Sequence, residues 1–160
     1  MNRSGEKGFT LLELLIVVLV VVLVLAVTYP SLSRGSSSVR LRTTGRDVLN
    51  IFRYARERAV TEQVGMRVTV DREKQRLVVS DELGDGGRFY LLPQDVRMES
   101  LALGGKEIAA PSLVIRFLPN GSSDRGEVLL KSESGSHLRI ICDPLAGGAR
   151  IETGQGESYP

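Results

Sequence analysis

The chain has 160 residues, with 21 Lys and Arg, 19 Asp and Glu, one His, one Cys and no Trp. That length holds one domain of ordinary size with an appendage and excludes a large multidomain enzyme. One Cys and one His exclude an internal disulfide, a cysteine-based zinc site and a multi-histidine metal centre, and the net charge of +2 carries meaning only through its distribution.

The chain opens with a basic head, Arg3 and Lys7, ahead of an apolar run. Every residue from Leu14 to Val27 is apolar, and from Phe9 to Tyr29 only Thr10, Glu13 and Thr28 interrupt. As a helix, residues 11–29 span about 28 Å, close to the roughly 30 Å of a bilayer's hydrocarbon core. A helix apolar on all sides has no solvent face, so lipid or the centre of a helical assembly is its natural surrounding. An ordinary secretory signal has a shorter core and a small-x-small cleavage site behind it. Here Thr28-Tyr29-Pro30-Ser31 follows instead. Glu13 fits neither setting. A carboxylate at the start of a span either reaches interfacial water or marks a function that needs a partner.

Residues 31–38 are rich in Ser and Gly behind Pro30, which reads locally as a loop or helix break. Leu41, Gly45, Val48, Phe52, Ala55 and Ala59 then follow steps of three and four. This stripe predicts an amphipathic helix over about 39–63, ending before Gly65. From Arg34 to Arg58 seven Arg face two acids, Asp47 and Glu57, a local net of +5, whereas residues 59–160 carry a net of −3. Arg40, Arg42 and Arg46 suit a solvated face, lipid phosphates or acidic neighbours, or nucleic acid. Only Phe52 and Tyr54 lie near them, which is thin for stacking on bases.

From Gly65 onward the pattern changes to period two. Strands are expected at residues 66–70, 77–79, 88–92, 96–101, 113–118, 127–131, 138–142 and 149–153, separated by Gly, Pro, Asn and Asp. Eight short strands predict an antiparallel sandwich or pair of sheets, with the helix closing one apolar face. The fold class expected is α+β, a long N-terminal hydrophobic helix packed on a C-terminal antiparallel two-sheet domain. Nothing in this region composes an active site. His137 reads as a surface strand residue, and Cys142 as a buried inert thiol. Gly84-Asp85-Gly86-Gly87 lacks a phosphate-loop pattern. Asp81, Glu82 and Asp85 are oxygen donors of the calcium type but have no EF-hand spacing, so they read as a charged hairpin tip. No cofactor and no metal are expected.

The stretch Lys7-Gly8-Phe9-Thr10-Leu11-Leu12-Glu13-Leu14 resembles the class III signal of type IV pilins and type II secretion pseudopilins. The resemblance implies cleavage by a prepilin peptidase between Gly8 and Phe9, N-methylation of Phe9 by the same enzyme, and a role in assembly for Glu13. Pro30 falls at mature position 22, where many members also carry proline. Glycine at the scissile position lets the protease approach the backbone closely. The methylated amine stays cationic, and in this family it pairs with the glutamate of a neighbouring subunit. A carboxylate buried in an apolar helix bundle is tolerable only with such a partner. Positive-inside counting disagrees, because Arg34, Arg40, Arg42 and Arg46 outnumber Arg3 and Lys7. The peptidase motif, which works only with the leader in the cytoplasm, outweighs that count.

The strand-rich domain narrows the resemblance. Phe117-Leu118-Pro119-Asn120-Gly121 before Gly126-Glu127-Val128, and Leu138-Arg139-Ile140-Ile141-Cys142 before Gly147-Gly148-Ala149-Arg150, are similar to segments of the GspH/FimT group of minor pseudopilins. The implied layout is a leader (1–8), a membrane or fibre-core half-helix (9–30), a linker and amphipathic half-helix (31–64), a periplasmic β domain (65–153) and a tail (154–160). The implied work is assembly into the pseudopilus of a type II secretion system. Its partners would be the major and other minor pseudopilins, the prepilin peptidase, the inner-membrane assembly platform and membrane lipid. The alternative is a minor pilin of a type IV pilus that binds DNA. DNA-uptake members carry a basic Gly-Arg-x-Arg segment. Here Arg150 is followed by Ile151 and Glu152, leaving Arg139 and Arg150 as the basic pair.

Overall fold

The computed structural model describes residues 10–82, 84, 87–144 and 148–152, with side chains 26–36 excepted. The chain divides into two compact units between Ser36 and Ser37. Helix α1 runs Leu11–Glu62. Nine strands follow: β1 Met66–Asp71, β2 Arg76–Asp81, β3 Arg88–Leu91, β4 Val96–Leu103, β5 Lys106–Glu107, β6 Ser112–Phe117, β7 Gly126–Ser132, β8 His137–Asp143 and β9 Gly148–Glu152.

The expected loop or helix break at 31–38 is not found, because the backbone is helical through it. Ser and Gly cost a helix only a fraction of a kcal/mol to about 1 kcal/mol each, and a helix already nucleated on both sides propagates through them. Pro30 removes one backbone donor without ending the helix. The helix stops at Glu62 because Gln63 adopts φ 55°, a left-handed C-terminal cap, and the Gln63 Nε2 donates to the Val60 carbonyl at 2.6 Å.

Within the second unit the helix residues from Ser37 on cover the two sheets. The expected stripe is the buried one: Leu41, Val48, Phe52, Ala55 and Ala59 are all at most 3 % exposed. Thr44 is buried with them. Gly45 marks a close approach, since a Cβ there would stand 2.7 Å from Leu138 Cδ2 on β8. One sheet has the order β3-β2-β1-β6, the other β5-β4-β7-β8-β9, and every pairing is antiparallel. Alternation puts Met66, Val68, Val70, Leu77, Leu113, Ile115 and Phe117 inward from the first sheet. Val96, Met98, Leu101, Val128, Leu130, Leu138 and Ile140 face them from the second. The Phe52 and Phe117 rings pack with centroids 6.2 Å apart.

Two polar contacts fix these layers. Gln75, in the β1–β2 turn, accepts from the Met98 N–H at 2.7 Å and so staples one sheet to the other. Arg56 on the helix donates from Nε to the Gly121 carbonyl at 2.9 Å. That turn requires Gly121 at φ 83°.

Candidate assembly site

Thr10 precedes the helix and accepts the Glu13 N–H on its hydroxyl at 3.2 Å, while the Leu14 N–H donates to the Thr10 carbonyl at 3.2 Å. Thr10 is thus the N-cap and Glu13 the N3 residue, the Thr-x-x-Glu arrangement that satisfies orphan amides of a helix start. The carboxylate also lies at the positive end of the helix dipole. The spacing of Thr10 and Glu13 is itself the sequence signature of such a cap.

Above the cap, each apolar side chain from Leu11 to Leu25 is exposed, at 50 % or more for the large ones. Among the described residues of the first unit no face of the segment is covered. Among the described residues no helix is long and apolar enough to cross a membrane. Side-chain description of the run stops at Leu25, whereas its apolar sequence continues to Val27. Gly8 and Phe9 lie outside the described residues. Pro30 is within α1, with its side chain outside them.

In the second unit Arg42 and Arg46 are exposed, and Arg40 Nε stands 3.3 Å from Asp95 Oδ2. The register sets Arg139 opposite Glu152 and Arg150 opposite Ile141, so both arginines share one sheet face. Arg150 is gripped by two carboxylates, Asp143 at 3.1 Å and Glu152 at 2.9 Å. The pair therefore sits in a charge-balanced cluster and not on a bare basic patch. His137 is on β8, half-buried, with Nε2 2.9 Å from Glu99, which also takes Lys131 at 2.6 Å. The Lys131 hydrogen bond chiefly holds the Glu99 carboxyl below its usual range. Asp85 and Gly147 lie outside the described residues, and among those described no cluster of His, Cys, Asp and Glu could hold a metal ion.

Cys142 is 1 % exposed, and burial pushes its thiol up to about 12. Folding favours the neutral thiol, so this stabilisation is complete below the ordinary value of 9.0 and is lost as pH rises toward about 12. Alkylation of the native chain at pH 8 is expected to be on the order of 10³ slower than in denaturant. Timed iodoacetamide labelling with mass detection checks this, and equal rates would contradict the buried thiol.

The family described as the prokaryotic N-terminal methylation motif matches residues 3–29. The type II secretion system protein H of Xanthomonas campestris pv. campestris is 24% identical over 126 residues, which cover 79% of this chain and 72% of that protein. The structure of the minor pseudopilin EpsH from the type 2 secretion system of Vibrio cholerae matches with TM-score 0.57 at 12% identity, covering 71% of this chain and 97% of that one. A crystal structure of the same pseudopilin gives 0.58 at 15%, covering 75% and 97%. This is the minor-pseudopilin fold. The helix laid on two antiparallel sheets is the layout that the pseudopilin resemblance implied, and the methylation motif lies at its N-terminal end.

Proposed function

We propose that the chain is an H-type minor pseudopilin that assembles into the pseudopilus of a type II secretion system and so supports protein export across the outer membrane. One observation carries this reading: a helix apolar and exposed on all sides, capped at Thr10 and Glu13, begins a chain whose β domain has the EpsH fold. On this reading the prepilin peptidase removes residues 1–8 and methylates Phe9. Residues 9–30 hold the chain in the inner membrane by a single pass, with the domain from residue 65 in the periplasm. The assembly platform then extracts it toward the other pseudopilins. Lipid and fibre cover the same apolar surface equally well, so specific packing and the Glu13 pair must supply the preference for the fibre. The work is assembly and not catalysis. A DNA-binding minor pilin is disfavoured by the two carboxylates on Arg150.

Mass spectrometry of the membrane-extracted protein tests the proposal. The expected mature terminus is Phe9 carrying one methyl group. An intact Met1, or a terminus beyond Pro30, would overturn it.

A further inference from the structure

The two sheets have four edges, and three are blunted against pairing with another chain. β5 is two charged residues long and pairs only Ala102 and Leu103 of β4, and along the rest of β4 the Met98 N–H is taken by Gln75 and the Leu101 carbonyl by the Ile108 N–H. β9 carries the Arg150–Glu152 ion pair. On β6 the segment 122–124 folds back: the Leu118 N–H donates to the Ser122 carbonyl, the Asp124 N–H donates to the Arg116 carbonyl, and Asp124 pairs with the Arg116 guanidinium at 2.8 Å. The fourth edge, β3, is different. Its Phe89 is 69% exposed and Leu91 58%.

The ladder fixes which way β3 presents its backbone. The Leu92 N–H donates to the Gln75 carbonyl at 2.9 Å, so Gln75 and Leu92 form a hydrogen-bonded pair. Such pairs alternate along an antiparallel ladder, which makes Leu77–Tyr90 and Val79–Arg88 the next two. The N–H and C=O groups of Phe89 and Leu91 therefore point away from β2, to the free edge. On the outer face Phe89, Val78, Thr69 and Val114 stand in one cross-strand row. On the inner face a groove of about 280 Å³ runs beside the edge, lined by Ile51 and Tyr54 of the helix and by Leu77, Val79 and Tyr90. Arg88 lies over the Tyr54 ring at 5.4 Å and has no carboxylate partner among the described residues.

We propose that β3 is a docking edge that takes an extended segment of another protein as an added antiparallel strand, with an apolar residue opposite Tyr90 and an acidic residue opposite Arg88. In that register the Phe89 and Leu91 amides and carbonyls supply the main-chain bonds. The residues opposite Tyr90 and Arg88 point inward, so the apolar one enters the groove and the acidic one meets the guanidinium. A second copy of this chain fits less well, since β3 (Arg-Phe-Tyr-Leu) carries no carboxylate. The proposal stands whether or not the chain joins a fibre.

The test uses the full chain in detergent micelles and a fluorescein-labelled Thr-Ile-Val-Glu-Thr peptide, with a Lys-for-Glu peptide as its counterpart. The Glu peptide is expected to bind saturably and at least roughly tenfold more tightly than the Lys peptide. Arg88→Glu should invert that preference. Phe89→Pro removes an outward N–H and should cost roughly tenfold or more, while Phe89→Ala keeps it and costs less. Far-UV circular dichroism checks that the variants fold, and should Phe89→Pro not fold, the inversion by Arg88→Glu still decides. Equal binding of both peptides, no saturable binding, or a β3-dependent self-association in place of peptide binding would overturn the proposal.

Discussion

Glu13→Ala is expected to leave the chain in the membrane fraction and to lower its incorporation into the pseudopilus by about tenfold or more. Removing a carboxylate from the start of an apolar run makes insertion easier, not harder. The loss falls on assembly, where an unpaired partner amine would remain buried among apolar helices. Because Glu13 also occupies the N3 position of the capped helix, Ala alone does not separate charge from capping. Glu13→Gln does, since Gln serves at N3 but carries no charge. Shearing fractions probed for the subunit should show both variants absent from the fibre. Normal incorporation of either would contradict the charge-pair role, and rescue by Gln alone would assign Glu13 to the cap.

Phe52→Ala is expected to destabilise the β domain by about 3–5 kcal/mol, about a fifth or more of the roughly 5–15 kcal/mol typical of a domain. Phe52 is 1 % exposed and packs on Phe117, and through that ring the helix holds β6. Ala55, Met66 and Ile115 are fully buried in the same cluster. A fall in thermal midpoint of roughly 10–15 °C should follow, read from the strand signal in circular dichroism of the full chain in detergent. Isolated replacement of Val39, exposed on the same helix, should move the midpoint little. A small shift for Phe52→Ala would mean that the helix contributes less to this core than its burial implies.

What the sequence revealed and what it hid follow from the range of the interactions. The helix stripe and eight strands were legible because period 3.6 and period 2 are local signals. The ninth strand, Lys106–Glu107, has no pattern of its own and exists because Gly104 and Gly105 turn the chain at φ 60° and 81°. The division into two sheets was anticipated, but not that β6 returns beside β1, a pairing across more than 40 residues. The Ser/Gly stretch behind Pro30 misled because local breakers say nothing of the helix on either side. Glu13 stood out in the sequence as a lone carboxylate at the start of an apolar run, and the structure shows its amide capped by Thr10. The Arg56 bond to Gly121 was not legible, since its partners are 65 residues apart. Glu152 beside Arg150 could be read directly, whereas Asp143 joins them only through the β8–β9 pairing.

The cap at the start of α1 also bears on proteolysis. The hydroxyl and carbonyl that close the first turn both belong to Thr10, and they receive the amides of Glu13 and Leu14. Cleavage between Gly8 and Phe9 would remove none of these groups. That bond precedes Thr10 in the sequence, so removal of residues 1–8 would leave the groups of the cap in place. A new α-ammonium there would oppose the helix dipole by about 0.3–1 kcal/mol, and the Glu13 carboxylate in the first turn would offset it. Cleavage there would therefore change the terminal charge and the length in one step without disturbing the cap of α1.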